Sequence, residues 1–232
     1  MPVHSLLAET SQFFSKSRTK ELGLTGNREV SFVVKQATLL VVQLSKDSII
    51  AASLTILGRF GLADMTMRRV AASLGVAPGA LYWHFKNKQA LIDATARTLL
   101  ADFLTSRYDD FPTACRALRN AMLATRDGAE LISAALIDPT LRAEVTKVLS
   151  VAVPESGAVT ALHFVMGATV LEQSEYLRLE TTESGNQQSN SSGVSDPILG
   201  LENARQAARI QADNQFQEGL GIITRGLNEN QR

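Results

Sequence analysis

The stretch "GVAPGALYWHFKNKQAL", residues 75–91, sets Tyr82, Trp83, His84 and Phe85 side by side and follows them with Lys86 and Lys88. The whole chain holds one tryptophan and three histidines, so composition alone does not account for this concentration of rings and cations. Pro78 suits the first turn of a helix, where its missing N–H would have no intrahelical partner anyway. Asn87 suits the cap of the next helix, because its side-chain oxygen can accept from a free backbone N–H. The spacing predicts a short helix from Pro78 through Phe85, then a longer one on which Ile92, Ala96, Leu99 and Phe103 share a face.

Upstream, Ile50, Leu54 and Leu57 recur at helical spacing, with Ile49, Ala52, Ile56 and Phe60 extending the stripe. This predicts a helix over residues 46–60, ended by Gly58 and Gly61. Thr66 is a good N-cap, Val70 and Leu74 lie four apart, and Gly75 suits the position just past a helix end. Two short helices joined by a tight, glycine-containing turn make a helix-turn-helix. Leu81 and Phe85, four apart, are expected to pack inward. Tyr82, Trp83 and His84 then face outward or to the flank, although packing of Tyr82 and Trp83 between helices also fits the residues taken alone. Hydroxyl, imidazole and ammonium groups all donate to phosphate. Lys88 falls in the first turn of its helix, where unpaired N–H groups and the helix dipole attract an anion.

Charge points the same way. The chain of 232 residues is formally neutral, but residues 45–90 carry six Lys/Arg against Asp47 and Asp64. Residues 1–44 carry a smaller basic excess, so the rest of the chain is acidic. A basic segment beside an acidic body suggests a polyanion site at one end, or simply a solvated charged face. The single cysteine, Cys115, excludes an internal disulfide framework, suits the cytoplasm and reads as a small core residue. No apolar run is long enough to predict a spanning helix, so no membrane partner is expected. His4, His84 and His163 are too scattered for a metal motif, and no metal or other cofactor is expected. His163 reads as a satisfied core histidine. There is no paired acid and base and no nucleophile motif, so the chain is not expected to be an enzyme.

The run "SIIAASLTILGRFGLADMTMRRVAASLGVAPGALYWHFKNKQALIDA" resembles the DNA-binding domain of the TetR family of transcriptional regulators, a resemblance that extends over residues 45–103. "YWH" followed by "KNK" and Leu resembles the tetracycline repressors more than the typical family member. "TRDGAEL" (125–131), "VMGATVLEQ" (165–173) and "FQEGLGIITRGL" (216–227) resemble them too. The resemblance implies an all-α fold in which residues 45–92 form the DNA-binding domain and 93–232 an effector-binding and dimerisation domain. It implies that Thr66 meets a phosphate, that Arg68 reaches a base edge, and that Arg69 contacts phosphate or reads a base. Pro78, Gly79 and Ala80 would lie where the recognition helix meets the groove, with Ala80 against a thymine methyl. Tyr82, Trp83, His84 and Lys88 would grip phosphates. Met67, Pro78, Gly79 and Ala80 depart from the tetracycline repressors, which implies a different operator and direct readout resting heavily on Arg68.

The same resemblance implies a homodimer on a palindromic operator, released by a small-molecule effector. The other reading is a DNA-binding regulator controlled by a protein partner, or by no small molecule. Effector contacts would fall at Leu104, Ala114, Leu118, Ile132 and Glu172. Ile132 stands where the tetracycline repressors place a metal-ligating histidine, so the effector is expected to be largely hydrophobic and to act without Mg²⁺. Glu172 would serve a cationic or hydrogen-bonding effector, or a polar contact at the dimer seam. Residues 158–171 are apolar nearly all round and call for burial on every side. Phe216, Leu220, Ile223 and Leu227 form a second stripe, with Gly219 and Gly226 permitting close helix approach. Two such helices from each of two chains would make a four-helix interface. The Ser/Asn/Gln/Gly-rich segment 181–197 is expected to be a flexible loop. Residues 1–44 are read as an N-terminal extension: either a disordered basic arm, or sequence upstream of a true start near Val41 or Val42.

Overall fold

Ile49, Ser53, Ile56 and Leu57 recur at intervals that put them on one side of a helix, and in the computed structural model all four are buried on α1 (Lys46–Phe60). The structure describes residues 44–186 and 197–229, with side chains described for 44–178 and 202–229. Ile49–Arg232 form one compact unit. Gly61, at φ +85°, ends α1 and donates its N–H to the Leu57 carbonyl at 2.9 Å. Phe60 is expected on the buried stripe but is 47% exposed, because the ring serves instead as a platform for the Arg69 guanidinium, 3.9 Å from its centroid.

Thr66 caps α2 (Met67–Ser73): its Oγ accepts from the Arg69 N–H at 3.2 Å. Met67, Val70 and Ala71 turn inward, and Gly75 takes φ +69° after the helix. The next helix, α3 (Pro78–Leu81), is shorter than its spacing predicts. Residues 82–84 continue as turns, with the Phe85 N–H still reaching the Leu81 carbonyl at 2.9 Å. Four successive aromatic residues are weak helix formers, and the looser winding still brings both Leu81 and Phe85 into the core, as expected. Asn87 caps α4 (Lys88–Leu99) by accepting from the Ala90 N–H at 2.8 Å. α4 runs unbroken across residues 92 and 93, so the expected boundary between 92 and 93 falls inside a helix.

Beyond this head (α1–α4), the body of the chain is made of α5 (Ala101–Thr105), α6 (Phe111–Leu123), α7 (Gly128–Ala135), α8 (Pro139–Leu149), α9 (Glu155–Asn186) and α10 (Pro197–Glu229). Asp110 and Asp138 cap α6 and α8, each followed by a helix with proline in its first turn. On α6 the residues Phe111, Ala114, Cys115, Leu118, Arg119 and Met122 are buried at helical spacing against α7, α8 and α9. Burial pushes the Cys115 thiol up to about 12, which leaves it a packing group rather than a nucleophile. The fold is all-α, with no strand among the described residues.

The last two helices depart from expectation. The apolar stretch on α9 is not buried all round: Ala158, Ala161, Leu162 and Val165 face the core, whereas Val159, His163 and Leu171 are exposed. His163 is therefore not a core histidine; it stands exposed at the edge of a cleft between α8 and α9. Phe164 stacks on Phe216 of α10, centroids 5.4 Å apart. A Cβ on Gly219 would come within 2.5 Å of the Phe164 ring, so that glycine does permit close approach, while a Cβ on Gly226 would meet nothing within 4 Å among the described residues. Of the expected loop 181–197, residues 181–186 continue α9 and Pro197 opens α10. The remainder, and the extension 1–43, lie outside the described residues.

Candidate functional site

The helix-turn-helix presents its polar groups outward. Arg68 is exposed on α2, and Pro78 and Gly79 are exposed on α3, with Ala80 half-buried beside them. A Cβ on Gly79 would meet nothing within 4 Å, so α3 offers a low surface with no long side chain over it. Trp83 is 92% exposed and Tyr82 53%. His84 is half-buried, Lys86 is exposed and Lys88 half-buried at the start of α4. An indole left this open gains nothing from folding in the isolated chain and leaves its face free for a partner. Rings, hydroxyl, imidazole and two ammonium groups on one short segment match the donors that hold a phosphate backbone.

Two of the expected contacts are already engaged. Thr66 Oγ accepts the α2 capping hydrogen bond, and Arg69 is ion-paired with Asp64 while lying over Phe60. Arg69 is thus oriented from within the chain, whereas no such tether is seen at Arg68. Sequence reading misses this Phe60–Arg69–Asp64 arrangement, although the five-residue separation of Asp64 and Arg69 is a usable signal.

The head is tied to the body at three points, none anticipated. Asp127, at φ 52° in the turn before α7, accepts from the Leu62 N–H at 2.7 Å. Gly61 lies so close that any Cβ there would run into the Asp127 carboxylate. Gln89 at the start of α4 donates to the Ala134 carbonyl at 3.2 Å. Arg97 further along α4 donates to both Glu144 oxygens at 2.7 and 3.3 Å and lies 3.7 Å from Asp138. The Glu144 hydrogen bonds outweigh desolvation and hold the Arg97 pKa above its usual value.

Within the body, Ala114, Leu118 and Ile132 are fully buried and Leu104 is half-buried. None of the four lines either of two clefts, of about 650 Å³ between α9 and α10 and about 700 Å³ between α8 and α9. In this conformation they are packing groups. Glu172 differs most from expectation. It is buried, yet no cationic ligand is needed to balance it: Arg119 donates to its two oxygens at 2.8 and 2.9 Å. The Tyr176 hydroxyl adds a third hydrogen bond at 2.7 Å. Arg119 also donates to Asp213 of α10 at 2.8 Å and lies 4.7 Å from the Phe216 centroid. Burial works against the Arg119 charge, but Glu172 and then Asp213 outweigh it and hold the pKa above its ordinary value. Burial, followed by the neighbouring Glu172, likewise raises the Tyr176 phenol, which stays a donor at neutral pH. Gln173, next along α9, accepts from the Ala129 N–H and donates to the Thr125 carbonyl, both at 2.9 Å. Among the described residues no group of three His, Cys, Asp or Glu side chains is placed to hold a metal ion, and no helix is long and apolar enough to cross a membrane.

A helix-turn-helix with exposed rings and cations, carried on a larger helical body, defines a DNA-binding regulator. The profile "Bacterial regulatory proteins, tetR family" matches residues 49–95. The tetracycline repressor protein class A from transposon 1721 of Escherichia coli is 30% identical over 205 residues, covering 81% of this chain and 92% of that one. Crystal structures of BioQ are also similar. BioQ of Mycobacterium smegmatis is 33% identical with a TM-score of 0.60, covering 79% of this chain and 98% of its own. BioQ with its natural double-stranded DNA operator is 34% identical with a TM-score of 0.59, covering 80% and 98%. The chain belongs to the TetR family of bacterial transcriptional regulators and is a DNA-binding repressor of that family.

Proposed function

We propose that the chain acts in the cytoplasm as a homodimer that represses transcription from a palindromic operator and leaves it when a small molecule binds the body. The observation that carries this reading is the segment 82–88, where Tyr82 and Trp83 stand open to solvent beside Lys86 and Lys88 on a helix-turn-helix. Thr66, Arg68, Tyr82, Trp83, His84 and Lys88 supply the backbone and base contacts, and Pro78, Gly79 and Ala80 let α3 lie close in the groove. Arg69 contributes from the position that Asp64 and Phe60 fix.

What α9 and α10 leave uncovered supports dimerisation. Val159, His163, Gly167 and Leu171 recur every four residues on the open side of α9, and Ile222 is exposed on α10. Helices from a second copy would cover this surface, and two heads on one dimer fit a two-fold operator. The similarity to BioQ, whose structure includes its operator, supports the DNA partner.

The test is an electrophoretic mobility shift of the purified chain on the DNA flanking its own gene, titrated with Mg-tetracycline and with a panel of small molecules. A discrete complex released by a panel member without Mg²⁺ is the expected result. A complex that no small molecule weakens favours control by a protein partner, and no complex at all removes the reading.

A further inference from the structure

The Arg119 cluster opens onto a cleft of about 390 Å³ between α6, α9 and α10, within the range of small-molecule sites, about 300–1,000 Å³. Its walls include Leu123, Tyr176, Arg209 and Asp213. The two carboxylates of the cluster are not equivalent. The Glu172 side chain is 5% exposed and held by three hydrogen bonds, so it belongs to the frame. The Asp213 side chain is 53% exposed and accepts a single hydrogen bond from Arg119. Four residues earlier on the same helix, Arg209 lies over the Tyr176 ring at 5.7 Å.

We infer that this cleft is a binding site for a small aromatic carboxylate, whose carboxylate takes the place of Asp213 on Arg119. The exchange is isoelectric at the buried guanidinium: one carboxylate leaves for solvent as another arrives, so Arg119 is never left uncompensated. Arg209 supplies a second positive charge at the mouth, and Tyr176 and Leu123 offer apolar surface for a ring. Once Asp213 has moved to solvent, Arg119 and Arg209 against Glu172 alone leave the cleft with one net positive charge, which a carboxylate balances and an ammonium does not. This inference names the ligand class for the effector response proposed above and rests on that reading. The route to DNA is short. Gln173 also lines the cleft and is bonded to Thr125 and Ala129, the residues either side of the turn whose Asp127 holds Leu62 of the head.

Calorimetric titration of the full chain with 1-naphthoate, 1-naphthamide and 1-naphthylmethylamine tests it, alongside Asp213→Asn and Arg209→Gln. The expected result is saturable binding of the carboxylate alone. Asp213→Asn should tighten it, and Arg209→Gln weaken it, each by about two- to fivefold, the scale of a partly exposed ion pair. A purely structural role for Asp213 would not produce opposite effects in the two variants. No saturable binding, equal binding of the amide, preference for the amine, or an Asp213→Asn variant that binds no more tightly would each overturn the site. Operator anisotropy measured with the same ligands reports separately. Carboxylate binding with the expected variant effects but unchanged operator affinity supports the anion site and removes the ligand-response reading instead.

Discussion

The head and the body use charge in opposite ways. In the head, Arg68, Lys86 and the ring of Trp83 stand in solvent, and the fold is held by small apolar contacts such as Leu81 and Phe85 beneath them. In the body, Arg119 and Glu172 are buried and fully paired with each other, with Tyr176 and with Asp213. Exposed charges cost little to hold and are free to meet a partner. Buried ones are expensive unless every hydrogen bond is made, so they fix one arrangement of helices. The head therefore presents its charge outward, and the body uses its charge to hold α6, α9 and α10 in one arrangement.

Breaking the buried cluster should have the largest effect. Arg119→Met leaves Glu172 uncompensated in the core and should destabilise the chain by about 3–5 kcal/mol in urea unfolding. Pairing it with Glu172→Leu should recover most of that stability. A double variant no more stable than the single one would contradict the account of the cluster as mutually compensated charge.

The joint between the two regions comes next. Gly61→Ala forces a side chain into the left-handed region, at about 1–2 kcal/mol, and into the Asp127 carboxylate. Operator affinity should fall together with stability, because the head loses its register on the body. Unchanged binding would show that the Asp127–Leu62 contact does not set that register.

Within the head, Arg68→Ala should weaken specific operator binding by about 1–3 kcal/mol and relax the preference at one base pair per half-site. Affinity profiling across operator variants shows whether the profile flattens at one position or shifts uniformly. A uniform shift would make Arg68 a phosphate contact.

The smallest effect expected is on pH. Asp110 is held below its usual carboxyl range by the Thr113 hydroxyl and N–H, and Asp138 chiefly by the Thr140 N–H. Both have depressed folded-state values. Their capping contribution is therefore fully present above the unfolded-state value of about 3.9 and is lost as pH falls through the lower folded one. Thermal midpoints should drop below about pH 4, and Asp110→Asn should flatten part of that drop. A midpoint that rises on acidification would contradict the caps.

How much of this can be read in the sequence follows the same division. Caps, turns and helix faces of the head are local: Thr66 lies three residues from its bonded N–H, and Pro78 and Asn87 mark the starts of α3 and α4 at the residues themselves. The last turn of α3 escapes, since periodicity does not register how four aromatic rings loosen a helix, and so does Phe60, drawn off the buried stripe by Arg69. The Arg119 cluster joins residues 53 and 94 positions apart, and no local pattern announces which charges will meet. Glu172 is legible as a buried carboxylate but not as one already paired. His163 is misplaced by its sequence because an apolar run does not say which of its sides faces the core.

The most direct measurement of the central claim is fluorescence anisotropy of the full chain on a duplex from the flank of its own gene, against a scrambled duplex of equal length, across a salt series. The account predicts sequence-preferring binding whose logarithm falls linearly with log salt. Lys88→Ala should make that slope shallower by about one for each phosphate the lysine neutralises, and Trp83→Ala should weaken binding while shifting stability by no more than about 0.5 kcal/mol. Equal affinity for both duplexes, or a slope and affinity untouched by either substitution, would contradict the assignment of residues 82–88 to the DNA backbone.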